Sequence, residues 1–216
     1  MRPNAEHEHC DRASPDGLNF HPTCIEAVRT LERMEGANLR RYYAIWEMAC
    51  GDGAIVKPLR KAGYHVVASD IVDRGCPRSS LHDFLGGKRP HIVVPRQSLA
   101  GVTNPPFDRA EEFVLKACAW CDYVAMLLRL RWIAAQHVIG SNDTPVRVGD
   151  PLWQRTRIPF ARLILPDGRW PMMHRDGYAG PKTESSMIDM AWFVWEAGHK
   201  GAPQILREPH TLTPKK

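Results

Sequence analysis

The chain has 216 residues, 44% of them hydrophobic and 25% charged, which suits one globular α/β domain with no internal repeat or long low-complexity tract. No run of about 18 apolar residues occurs, which excludes a membrane-spanning helix, and "MRPNAEHEHCDRASPDG" lacks the apolar core of a signal peptide, so the expected location is intracellular. A net charge of +5 and a pI near 9.0 point to an anionic partner.

Residues 1–19 read as a flexible tail, and "EHEH" within it reads as solvated rather than metal-binding. A helix opens at "TCIEAVRTLERM", with Thr23 and Glu26 spaced as a capping box and Ile25, Val28 and Leu31 as its buried stripe. "YYAIWE" (42–47) reads as a strand, "ACGDG" as a tight turn, and "AIVKPLRKA" as a helix stopped by Gly63 at C′. "YHVVASD" (64–70) reads as a buried parallel strand, which completes a βαβ unit. "PHIVV" and "LAGVT" compete for the next strand, and "LAGVT" is favoured because it runs into "TNPPF", where prolines must end it. Asp108 and Glu111 form a second capping box ahead of "RAEEFVLKACAW". "YVAMLLRL" (123–130) is a further buried strand, and "WIAAQHVI" reads as a short helix. A Pro-, Gly- and Arg-rich stretch follows at about 140–160, and "ARLILP" and "DMAWFVW" close the chain as strands ahead of a tail from 206 to 216. The alternation predicts one doubly wound domain over 20–205, a mostly parallel sheet of about seven strands with an antiparallel finish.

Charge is unevenly placed. From Arg129 to Lys182 there are nine basic and four acidic residues, an excess equal to that of the whole chain. Eight of the nine are arginine, which suits forked recognition of phosphates and base edges. Arg131, Arg155, Arg157, Arg175 and Lys182 are the nucleic-acid contacts expected of this segment, and 131–185 is the DNA-contacting insertion. The six cysteines are scattered and read as buried thiols. Cys118 and Cys121 form a CxxC, but no second pair lies at zinc-ligand spacing, so no metal site is expected.

The glycine turn carries the first chemistry. Gly51 and Gly53, between a strand and a helix, let the backbone approach a ligand closely, and Asp70 ends the next strand nineteen residues after Gly51, placed to accept from ribose hydroxyls. A dinucleotide site would want a third Gly or Ala where Val56 stands. Glu47, ending the first strand, repels a pyrophosphate but attracts an amino group. The ligand is therefore a nucleoside with a cationic arm: S-adenosylmethionine fits, and a nicotinamide dinucleotide does not. In "HDFL", Asp83 can accept from an adenine amine and Phe84 can flank the ring.

"WEMACGDG", "VVASD", "HDFL" and "TNPPF", in this order, resemble class I S-adenosylmethionine-dependent methyltransferases of Rossmann-like fold. More narrowly they are similar to the DNA N6-adenine methyltransferases of phage and prophage type, which place the activity in the cytoplasm of a bacterial or phage-infected cell. "FHPTCIEAV" resembles that group's segment for the cofactor carboxylate, and "DMAWFVW" its last strands. The likeness covers about 20–200, least in the Arg-rich middle. It implies that Thr23 holds the cofactor carboxylate, that Ala49 offers a carbonyl to its amino group, that Gly51 and Gly53 pass under the methionine arm, and that Asp70, Asp83 and Phe84 take the ribose and adenine. It further implies that Asn104 and the Pro105 carbonyl accept from the target amine, that Pro106 stiffens the turn, and that Phe107 stacks on a flipped base in DNA. Met48 departs from the proline expected there, and Phe107 from the more frequent tyrosine. The Asn-Pro-Pro-aromatic tetrad also occurs in enzymes acting on RNA adenine, DNA cytosine N4 and protein glutamine. Those substrates stay open, as do a non-catalytic binding module and the choice of monomer or homodimer.

Overall fold

A computed structural model describes residues 20–95, 98–133, 136–139, 145–149, 156–168, 170 and 189–209. Ten strands and three helices appear among them. They are α1 (Ile25–Leu39), β1 (Ala44–Glu47), α2 (Val56–Lys61), β2 (Val66–Asp70), β3 (Ser79–Leu81), β4 (Leu99–Thr103), α3 (Ala110–Trp120), β5 (Tyr123–Arg129), β6 (Gln136–Ile139), β7 (Pro145–Gly149), β8 (Arg162–Leu165), β9 (Met190–Glu196) and β10 (Gln204–Arg207).

Eight strands form one sheet in the order β10-β8-β9-β5-β4-β1-β2-β3. Neighbours pair in parallel except at β9, which runs antiparallel to β5 and β8. The predicted architecture holds, with one strand more than expected. β10 pairs in parallel with β8, so residues 206 and 207, read as the start of a tail, form an edge strand.

Both faces of the central strands are buried, which explains their near-continuous apolar sequence. In β5, Tyr123, Ala125 and Leu127 face the cluster that α1 and α2 cover, while Val124, Met126 and Leu128 face the cluster under α3. β9 alternates in the same way, with Trp192 and Val194 on one side and Phe193 and Trp195 on the other. Each of the larger apolar side chains among them contributes roughly 1.5–3 kcal/mol through burial.

Several local expectations are corrected. α1 begins one residue late for the Thr23 box: Cys24 occupies the N-cap and makes no side-chain cap bond, and the Thr23 hydroxyl accepts from Asn104 instead. α3 likewise has Arg109 rather than Asp108 at its N-cap. "PHIVV" forms no strand, and β4 is "LAGVT". The helix read in "WIAAQHVI" is instead a single 3₁₀ turn, Leu130–Ile133, followed by β6, which pairs antiparallel with β7 outside the main sheet. Gly63 does sit at C′ of α2, with φ +88°. No described helix is long and apolar enough to cross a membrane.

Two ionic knots, built on the buried Glu35 and Glu208, tie α1 to the β8–β10 edge of the sheet. Glu35 accepts from Arg162 (2.7 and 3.0 Å), the Tyr123 hydroxyl (3.1 Å) and Asn38 (2.9 Å), and Arg162 also bonds Glu196 at 2.7 Å. Glu208, beyond β10, accepts from Thr30 at 2.7 Å and pairs with Arg33.

Candidate active site

The strand order reverses between β1 and β4, so their connections diverge and leave a crevice at the carboxyl ends. A cavity of about 420 Å3 lies there, within the range of a small-molecule site. Its walls come from the segment before α1, the turn after β1, the ends of β2 and β4, and residues 82–86.

The glycine turn is shaped by backbone geometry. Gly51 has φ +51° and Gly53 φ +86°, and the Gly51 N–H donates to Asp70 Oδ2 at 2.8 Å. A Cβ on Gly51 would lie 2.3 Å from the Phe20 ring, which rests on the turn beneath the Arg74 guanidinium (4.3 Å). Gly51→Ala is therefore expected to strain a left-handed residue by about 1–2 kcal/mol and to push Phe20 aside. Calorimetry should show Tm lower by about 3–6 °C. Met48, in place of the expected proline, is a core residue that fills the space beside Gly101.

The three carboxylates differ in environment. Asp70 Oδ1 accepts from Val72 N at 3.1 Å, so each of its oxygens already has one backbone donor. Asp83 Oδ1 accepts from Leu85 N and Gly86 N at 3.0 and 2.9 Å, which turns residues 83–87 into a tight loop. Lys116 clamps that loop through the carbonyls of Leu85 and Gly87. Glu47 is 1% exposed, and its Oε1 accepts from Ala49 N at 3.0 Å. Burial pushes its carboxyl up to about 8, against hydrogen bonding from Thr103 and Ala49. Among described residues the cavity wall carries six carboxylates, these three included, against two guanidiniums, Arg74 and Arg109. Arg109 is itself paired with Glu112. In a basic protein the cavity is acidic.

At the end of β4, Asn104, Pro105 and Pro106 line the cavity. The Asn104 Nδ2 group donates to the His21 carbonyl and to Thr23 Oγ1, both at 3.1 Å. A carbonyl can only accept, so the amide orientation is fixed and Oδ1 is the acceptor left to face away from these bonds.

Thr23, Glu47, Ala49, Asp70, Asp83, Phe84, Asn104, Pro105 and Pro106 all border one cavity. Phe84 offers it little: the ring is 2% exposed and packs on Trp46, Phe113 and Trp120. Gly51 and Gly53 lie behind Phe20 and Cys76. Phe107 is outside the lining and 8% exposed, with His21 stacked on it at 5.2 Å and the Arg129 guanidinium 4.8 Å from its centroid. Arg131 and Arg157 are exposed, whereas Arg155, Arg175 and Lys182 lie outside the described residues.

Sequence reasoning missed Phe20, His21, Ile71 and Arg129. The sign for the first two was an aromatic pair before Pro22 in "FHPT", and for Ile71 an apolar residue directly after Asp70 that is 51% exposed. Among described residues no group of His, Cys, Asp and Glu is arranged to hold a metal ion. Burial pushes the Cys118 and Cys121 thiols each up to about 12, which leaves them poor ligands.

No family model matches the chain, and no curated protein matches its sequence. Among solved structures it is similar to a candidate RNA methyltransferase from Pyrococcus horikoshii (12% identity, TM-score 0.56, 83% of this chain and 88% of that one). It is also similar to a type I restriction-modification methyltransferase subunit from Streptococcus thermophilus (10% identity, TM-score 0.56), covering 88% of itself but 47%, about half, of that subunit. At such identities the likeness is one of fold: the chain has a Rossmann-like sheet, mostly parallel, with β9 reversed near its C-terminal end.

Proposed function

We propose that the chain transfers a methyl group from S-adenosylmethionine to the N6 amine of an adenine in DNA. The observation that carries this reading is the Asn104 amide at the end of β4, oriented by two hydrogen bonds on the wall of an acidic cavity of nucleoside size, with its buried Oδ1 as the acceptor.

The residues present fit the cofactor. Six carboxylates disfavour a pyrophosphate and favour a ligand with cationic groups. Each Asp70 oxygen keeps a lone pair for a ribose hydroxyl, and Ile71 offers an apolar wall to the adenine. Asp83 Oδ2 is the oxygen available to an adenine amine, since Oδ1 holds the loop. Thr23 accepts from Asn104 and so turns its own hydrogen outward, next to the N-terminus of α1, where a carboxylate is favoured. Bound there, the cofactor supplies an electrophilic methyl on a good leaving group.

The protein's task is then positioning. An exocyclic amine is a weak nucleophile because its lone pair is delocalised into the ring. Asn104 Oδ1 and the Pro105 carbonyl accept its two hydrogens and draw the nitrogen toward a tetrahedral shape, with the lone pair aimed at the methyl. Two prolines hold that carbonyl's direction. A duplex base must leave the stack to reach them, which costs a few kcal/mol. A base that stacks on Phe107 must displace His21.

DNA as the partner rests on charge and placement. β4 and β5 are neighbours, and β5 leads directly into the turn that carries Arg131 and on to the β6–β7 hairpin. The Arg-rich segment therefore leaves the sheet at the edge where Asn104 stands, and supplies phosphate contacts there. Methyl transfer is also what the names of both structural relatives describe.

The test is incubation with methyl-labelled S-adenosylmethionine and a panel of DNA, RNA and protein. Label is expected in DNA. Label confined to protein or to RNA would replace the proposed substrate.

A further inference from the structure

His21 belongs to the cavity wall and also stacks on Phe107, which does not belong to it. The two ring centroids are 5.2 Å apart with the planes 30° from parallel, and each residue is 8% exposed. The Arg129 guanidinium rests on Phe107 as well, 4.8 Å from its centroid, but Arg129 is not part of the cavity wall. A group that approaches Phe107 from the cavity therefore meets His21. The backbone at this point is held, because the His21 carbonyl accepts from the Asn104 amide at 3.1 Å and the same amide donates to Thr23. Pro22, between them, has a fixed φ. What can turn is the imidazole, from one staggered well to another.

We infer that His21 is a specificity gate on this aromatic platform: it gives up Phe107 to a group that can replace its stack, a nucleobase, and not to an aliphatic amide such as a glutamine side chain. This rests on the methyl-transfer reading above and adds the residue that sets its substrate class. The relative strength of the two stacks decides the selection. An aromatic pair contributes about 2–12-fold to an equilibrium constant, and any entrant loses that factor when the imidazole leaves. A base stacked on an aromatic side chain contributes about 5–160-fold. A base thus opens the gate favourably, whereas an amide without a ring removes one stack and forms none. The gate is built into the reaction site, since the amide whose Oδ1 is the proposed acceptor holds the His21 carbonyl through Nδ2.

The experiment is single-turnover methyl transfer from labelled S-adenosylmethionine to heat-denatured genomic DNA, whose bases are already out of the duplex stack, beside a glutamine-containing peptide. His21→Ala removes the imidazole and keeps the carbonyl for Asn104. Its half-saturating DNA concentration should fall about 2–12-fold, an effect carried by half-saturation rather than by the saturating rate. His21→Leu, which fills the space without a ring, should do the same and stands in if alanine does not fold, as a thermal transition will show. His21→Phe keeps a ring on the platform and should restore at least the wild-type value. A second readout needs no turnover: Phe107 shields the His21 ring protons, so their NMR resonances, assigned by their loss in His21→Phe, should move downfield when the DNA is added. An unchanged or higher half-saturation in the folded ringless variants, or resonances that DNA does not move, would overturn the inference and leave methyl transfer to DNA standing. Label in the peptide alone, or in neither substrate, would overturn both.

Discussion

Asn104→Ala should lower methyl transfer by at least about 10²–10³-fold, the usual cost of removing one hydrogen-bonding group aimed at a reacting centre. Cofactor affinity should change far less, because the cofactor's expected contacts lie on Asp70, Asp83, Glu47 and Thr23. Asn104 has a second duty, since its Nδ2 anchors the segment ahead of α1 through His21 and Thr23. Asn104→Asp separates the two. It keeps an acceptor at the same place but cannot donate to the His21 carbonyl. If the acceptor matters most, the aspartate variant keeps more activity than alanine; if the anchor matters most, both lose it alike. The readout is single-turnover transfer beside calorimetric cofactor affinity. Wild-type transfer in Asn104→Ala would remove the residue from the reaction.

Arg162→Ala should be the costliest change away from the cavity. Among described residues it leaves Glu35, 1% exposed, with the neutral donors of Tyr123 and Asn38. Breaking a buried pair in this way typically costs about 3–5 kcal/mol, seen as a lower denaturant midpoint at unchanged slope. The pH dependence has a definite sign. Hydrogen bonding from Arg162 holds the Glu196 carboxyl below its ordinary value against the effect of burial. Its contribution is thus present above the unfolded carboxylate range and lost as pH falls through the folded value. The wild type should lose this increment on acidification, and Arg162→Ala should not. A drop under about 1 kcal/mol, as for an exposed pair, would contradict the role.

Local physics explains which parts were readable. β1, the glycine turn, α2 and β2 announce themselves through apolar runs, left-handed glycines and a C′ glycine, all short-range signals. "WIAAQHVI" misled because its two alanines favour a helix, whereas Val138 and Ile139 belong to a hairpin whose partner, Pro145–Gly149, is defined only by pairing. β10 is only four residues long and largely exposed, so its "QILR" is too short to show an alternation that marks it as sheet. In the site, Asn104 and Asp70 were legible from their motifs. The bond from Asn104 to His21 spans 83 residues and the one from Arg162 to Glu35 spans 127, and no local pattern encodes either. Phe107 shows the same limit: its ring type was legible, but not the His21 and Arg129 side chains that cover it.

The central claim concerns one nitrogen atom. Adenine-containing duplex DNA incubated with the protein and methyl-labelled S-adenosylmethionine, digested to nucleosides and resolved by mass spectrometry, should yield label as N6-methyldeoxyadenosine, and none with Asn104→Ala. Label in N4-methyldeoxycytidine alone, or unlabelled DNA from a preparation that binds the cofactor, would contradict it.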